Sequence, residues 1–232
     1  MSSPLRSLRF FVLPIVLAVA AAASPAVATA PAQVACADGY TYAGRLSATR
    51  AHGVRATLTA LAQPQVAAGH VAAWVGVGGV GEGPNGTNAW VQIGLSAFPD
   101  SGSILYYEVA RPGGPPTYHE LDPDVETGER LRVAVLEMGK RPNHWRVWVN
   151  GEAVSQPIHL PASNGRWRPI ATAESWAGTG SACNGFSYRF ERVRVSAAAG
   201  GSWRTFVEGH RFLDSGYRLL DRGENTFVAT NS

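Results

Sequence analysis

Apolar and polar residues alternate along this chain with a period of two. Val54, Ala56, Leu58 and Ala60 are interleaved with Arg55, Thr57 and Thr59. Ala89, Val91, Ile93 and Leu95 share one strand face, and Trp90, Gln92 and Gly94 the other. Over residues 104–109, Leu105, Tyr107 and Val109 oppose Ile104, Tyr106 and Glu108. Residues 131–137, 145–149, 170–176 and 186–195 continue the pattern, which is that of half-buried strands. No window sustains the 3.6-residue period of an amphipathic helix. Asn150-Gly151, between Trp148-Val149 and Ala153-Val154, predicts a tight hairpin, because both turn residues tolerate positive φ. Phe186, Tyr188 and Phe190 share a parity that Val193 and Val195 break, which predicts a β-bulge near Glu191. Residues 217–220 and 226–229 flank Asp221-Arg222-Gly223 and predict a closing hairpin. Many short strands punctuated by turns predict an all-β fold, a sandwich or barrel of antiparallel sheets.

The first thirty residues follow a different pattern. Arg6 and Arg9 precede an apolar run over 10–23, and small residues then lead through Ala28 and Ala30. That is the layout of a secretory signal peptide cut near residues 28–32, and the run is too short for a stable membrane span. The expected organisation is a leader over 1–30, an N-terminal segment over 31–52 and a single sandwich domain over 53–232. The mature protein is expected to be secreted, soluble, monomeric and free of the membrane. Cys36 and Cys183 are the two cysteines, too few for a disulfide-dense scaffold. In an exported chain they are expected to pair as a disulfide; the alternative, a lipidated Cys36, is poorly matched by Gln33-Val34-Ala35.

Charge changes the picture little. Only 16% of residues are charged, with 20 Lys and Arg against 17 Asp and Glu. Without Arg6 and Arg9 the basic residues number 18, so the mature chain is nearly balanced. That balance argues against a nucleic-acid partner. The apolar content and scattered Gly and Pro exclude a disordered or collagen-like chain.

No Gly-x-Ser-x-Gly elbow, His-Glu-x-x-His helix, phosphate loop or Cys-x-x-Cys is present. His52, His70, His119, His144, His159 and His210 show no metal-ligand spacing, so neither metal nor cofactor is expected. Asp-Ser-Gly occurs at Asp100-Ser101-Gly102 and Asp214-Ser215-Gly216, as in aspartic peptidases, but each copy lies where a turn is expected. The informative residues are Gln92, Glu108 and Glu174, long polar side chains within apolar or aromatic strands. Such groups need hydrogen-bond partners or a solvated sheet face.

Four segments carry a resemblance. Ala73-Trp74-Val75-Gly76-Val77-Gly78-Gly79, Trp90-Val91-Gln92-Ile93-Gly94, Tyr106-Tyr107-Glu108 with Pro112, and Ala173-Glu174-Ser175-Trp176 resemble, in order and spacing, those of the eqolisins, the glutamic endopeptidases. The resemblance runs from about Gly53 to the C-terminus. It implies an antiparallel two-sheet β-sandwich, a concanavalin-like jelly roll, with Gln92 and Glu174 as the catalytic pair, and Trp74 and Glu108 as supporting residues. Tyr106, Trp90 and Trp176 accompany them as supporting or substrate-binding residues. The implied activity is metal-independent hydrolysis of a polypeptide substrate in acid. The family motif has Asp where this chain has Gly78, and an acid shortly after the tryptophan where this chain has Ala177-Gly178. Two other readings remain. One is a non-catalytic, lectin-like module binding carbohydrate or peptide, with Trp145, Trp148, Trp167 and Trp176 as stacking platforms or as core. The other is a glycoside hydrolase using Glu108 and Glu174.

Overall fold

The computed structural model describes residues 39–177 and 184–231. The leader and the Cys36–Cys183 pairing lie outside those residues. Among the described residues the chain forms strands and one short 3₁₀ turn, Pro84–Gly86. The strands are β1 (Tyr40–Ser47), β2 (Gly53–Ala60), β3 (His70–Gly79), β4 (Ala89–Ala97), β5 (Ser103–Ala110), β6 (Thr117–Val125), β7 (Leu131–Glu137) and β8 (His144–Val149). After them come β9 (Glu152–Ala153), β10 (Ile158–His159), β11 (Pro169–Trp176), β12 (Ser187–Ser196), β13 (Trp203–Thr205), β14 (Glu208–Leu213), β15 (Arg218–Asp221) and β16 (Phe227–Thr230).

They assemble into two antiparallel sheets, a β-sandwich. The first has the order β14-β1-β11-β3-β4-β5-β6. The second has the order β10-β8-β7-β2-β12-β16-β15, with β9 on β8 and β13 on β12. The expected alternation is what builds the core. Val71, Ala73, Val75 and Val77 of β3 and Val91, Ile93 and Leu95 of β4 point inward from the first sheet. Val54 and Leu58 of β2, Val133 and Val135 of β7 and Phe190 of β12 meet them from the second. Each fully buried side chain of this size contributes about 1.5–3 kcal/mol. The predicted hairpin forms, with Asn150 and Gly151 both at positive φ and Val149 registered on Glu152. The bulge also forms: register with β2 shifts between Glu191 and Arg194, and Arg192 takes a φ of 52°.

Glu137 is a strand carboxylate that faces inward, and it is fully buried. Its oxygens accept hydrogen bonds from the Asn143 N–H at 2.7 Å and the Gly165 N–H at 3.1 Å, and meet His52 Nδ1 at 2.7 Å. It therefore knits three loops at one end of the sandwich and has no free face for chemistry.

The sandwich was expected to begin at Gly53, yet β1, from the expected N-terminal segment, lies between β14 and β11 inside the first sheet. Its inward residues are Thr41, Ala43, Arg45 and Ser47, small or polar, while aromatic Tyr40 and Tyr42 face outward, so its alternation reads in reverse. Buried Arg45 is tolerated because Glu208 lies 3.0 Å away, Asp221 also bonds to it, and its guanidinium stacks over Phe227 at 4.6 Å.

Candidate active site

The outer face of the first sheet carries the polar residues that the strand pattern singles out. Antiparallel register arranges them in rows across the strands. One row runs Tyr42, Glu174, Ala72, Ser96. The next runs Thr172, Trp74, Gly94, Tyr106. The third runs Ile170, Gly76, Gln92, Glu108, Tyr118. Gln92 and Glu174 thus lie two strands and four residues apart, an offset of about 16 Å between Cα atoms on a flat sheet. Trp74 sits at the midpoint of that diagonal.

Both side chains line one cleft of about 630 Å³, together with Trp74, Trp90, Tyr106 and Glu108. Gln92 and Glu174 are each 8% exposed, so neither is a freely solvated surface group. Trp176 is 39% exposed and stacks on Tyr40 at 6.2 Å, beside His70 at 5.8 Å, and these two partners do line the cleft. Trp145 and Trp167 do not serve as platforms: they are buried and stack on each other in the core at 6.0 Å.

Each polar group is held by a neighbour. The Gln92 amide donates to Tyr106 Oη at 3.1 Å, which fixes its orientation and leaves its second N–H for the cleft. Trp90 Nε1 donates to Glu108 Oε1 at 2.8 Å. Glu174 Oε1 lies 3.5 Å from His70 Nε2, a contact that becomes an ion pair when the imidazole is protonated. Buried Trp74 Nε1 has no acceptor among the described residues. Burial raises the Glu108 carboxyl above its ordinary range; the Trp90 hydrogen bond opposes this, and the negative charge of Glu174 adds to it. The phenols of Tyr42 and Tyr106 are raised by burial first and by the charge of Glu174 second. They stay protonated and able to donate.

Glycines make this packing possible. A Cβ at Gly94 would stand 2.7 Å from Trp74 Cβ, so the absent side chain lets Trp74 pack beside it in the row. Gly78 has a backbone that glycine alone suits. Its φ is +86°, and a Cβ there would lie 2.2 Å from the Ala89 carbonyl. No side chain fits this backbone, so the polar network here rests on Glu108 and Trp90.

Several cleft residues were not visible in the sequence. His70, Tyr42 and Phe212 line it, from the start of β3 and from β1 and β14. Asn184 positions the near end. Its side chain accepts from the Ala67 and Ala68 N–H groups and donates toward His70 O, Ser175 Oγ and Trp176 O. It thereby clamps the start of β3 to the end of β11 beside Glu174. The two Asp-Ser-Gly copies lie in turns, where Ser101 caps Phe98 N–H and Asp214 caps Tyr42 N–H. Among the described residues, no group of three or more His, Cys, Asp or Glu could hold a metal ion.

No protein-family model matches the chain, and no curated protein matches it. Solved structures do. The fold is similar to scytalido-glutamic peptidase with a peptide-based transition-state analogue, at a TM-score of 0.55 and 16% identity, covering 82% of this chain and 97% of that one. The same peptidase with another transition-state analogue inhibitor aligns at 0.54 and 14% identity, over 82% and 97%. SCP-B, a member of the eqolisin family of peptidases in complex with the tripeptide Ala-Ile-His, aligns at 0.51 and 16% identity, over 83% and 97%. At these identities the likeness is one of fold.

Proposed function

We propose that this protein is a secreted glutamic-type endopeptidase that hydrolyses peptide bonds at acidic pH. The observation that carries the reading is that Gln92 and Glu174 line one aromatic-walled cleft on a fold similar to that of glutamic peptidases. A polypeptide lies across the sheet between them, over the Trp74 indole. Glu174 takes a proton from a water, the water attacks the scissile carbonyl, and the carboxylic acid returns the proton to the leaving amine. The free Gln92 N–H faces the carbonyl oxygen and stabilises the oxyanion. Burial raises the Glu108 carboxyl, which favours its protonated form, a donor rather than a second negative charge. His70 Nε2, 3.5 Å from Glu174 Oε1, holds that carboxyl in place.

The test is digestion of a denatured protein at pH 2–5. Glu174→Gln is expected to lower cleavage by about a thousandfold or more, and Gln92→Ala by about a hundredfold or more. Pepstatin is expected to leave the wild type unaffected. Equal cleavage by wild type and Glu174→Gln refutes the assignment. A wild type that binds peptide or glycan in the cleft without cleaving either makes the protein a binding module instead.

A further inference from the structure

The outer face of the second sheet carries a different constellation. Trp148, Ala134, Arg55 and Arg194 fall in one row across β8, β7, β2 and β12. Arg132 stands one row along, opposite Thr57. The bulge on β12 is what completes the row. Glu191 registers with Thr57 and Arg194 with Arg55, so three residues of β12 span two of β2, and the extra residue turns Arg194 outward where unbroken pairing would place Val193. Small residues, Ala134 and Gly200 among them, leave a hollow of about 640 Å³ lined by Arg55, Arg132, Arg192, Arg194, Trp148 and Trp203.

No acidic side chain lines this hollow. Glu191, the neighbouring carboxylate, pairs instead with Arg130 at 2.9 Å. Arg55 stacks over the Trp203 ring at 4.6 Å, and its guanidinium is destabilised by burial and by the charges of Arg194 and Arg132. Gathering like charges around a half-buried cavity costs free energy that an anionic ligand offsets. Nineteen of the twenty basic residues are arginine, whose planar fork binds carboxylate, sulfate and phosphate in bidentate fashion. From Trp148 to Arg194 is three strand spacings, about 14 Å, the reach of two or three sugar rings.

We propose that this hollow binds a short anionic saccharide, with Arg55, Arg132 and Arg194 taking its sulfate or carboxylate groups and Trp148 and Trp203 its ring faces. An oligonucleotide would need a basic track continuing along the sheet, and the Glu191–Arg130 pair interrupts it. The site lies on the opposite face from the cleft, and its occupancy is independent of catalysis.

Isothermal titration of the whole protein near pH 7 tests this, with four probes: a sulfated disaccharide, a dimeric uronate, a neutral disaccharide and inorganic sulfate. Saturable binding of one or both anionic disaccharides is expected, weakening as salt rises, with at least tenfold weaker binding of the neutral sugar and of sulfate. The two anionic probes distinguish sulfate from carboxylate recognition. Arg55→Gln with Arg194→Gln is expected to weaken binding at least tenfold, and Arg132→Gln alone severalfold, with unchanged circular dichroism. No saturable binding of either anionic disaccharide, or binding that survives all three substitutions, overturns the proposal. So does inorganic sulfate binding as tightly as the disaccharides, or a thymidine decanucleotide binding more tightly.

Discussion

The two outer faces of this sandwich are built by the same rule and carry opposite chemistry. On each, alternate strand residues line up in rows across the sheet. The first sheet sets small residues beside large ones, Gly94 beside Trp74 and Gly76 beside Gln92, and closes an aromatic floor around Glu174 and Glu108. The second sets Ala134 between Trp148 and Arg55 and leaves arginines around a hollow. The lesson concerns charge. A nearly balanced chain looks unable to form a basic face, yet here four arginines surround the hollow on one outer face and two carboxylates, Glu108 and Glu174, line the cleft on the other. Net charge is a sum, and strand parity decides how the sum is distributed.

The largest expected effect separates the faces outright. Glu174→Gln removes acid cleavage by about a thousandfold, and its affinity for an anionic disaccharide matches wild type. Arg55→Gln with Arg194→Gln does the reverse. A double variant that loses cleavage as well would show that the faces are coupled through the core.

Next in size is the carboxylate that belongs to neither face. Glu137→Ala leaves two half-buried backbone N–H groups and the His52 ring without their acceptor. A loss of about 3–5 kcal/mol is expected, seen as a clear fall in denaturant midpoint. Cleavage measured well below the melting temperature should change little. A near-neutral result would mean that the Asn143 and Gly165 loops do not depend on it.

Much of the sandwich was legible because its core strands obey alternation. β2, β4, β7 and β11 each present an apolar row to the interior, and the parity break at Glu191 announced the bulge. The strands that escaped notice lack that contrast. β6 is an edge strand, largely exposed, with Pro123 and two aspartates. β14 is likewise exposed. β1 faces its aromatics outward because they wall the cleft. The same physics limits the site. Gln92 and Glu174 stand out as polar interruptions of apolar strands, but nothing local links His70 to Glu174. Arg55 and Arg194, 139 positions apart, meet only through the β2–β12 register and its bulge.

A smaller effect tests whether the backbone at Gly78 tolerates a carboxylate. Gly78→Asp forces a side chain into positive φ and against the Ala89 carbonyl. A cost of about 2 kcal/mol is expected, with a melting temperature lower by roughly 5–8 °C and no gain in cleavage. A variant that is both as stable and more active would mean that the hairpin readily adopts another path.

The smallest effect is a pH dependence, and it marks the cleft as the face where buried acid matters. Burial raises the Glu108 carboxyl above its ordinary 4.5, outweighing the Trp90 hydrogen bond. The folded protein therefore binds this proton more tightly than the unfolded chain. The contribution to stability is fully present below the unfolded value and is lost as pH rises through the folded one. Glu108→Gln keeps an acceptor for Trp90 Nε1 and cannot ionise. Its melting temperature relative to wild type should thus be higher at pH 7 than at pH 3. Arg55→Gln on the other face should show no such swing over that range, because a guanidinium does not titrate there. A difference for Glu108→Gln that is flat or opposite in sign would place its carboxyl in water rather than in the cleft wall.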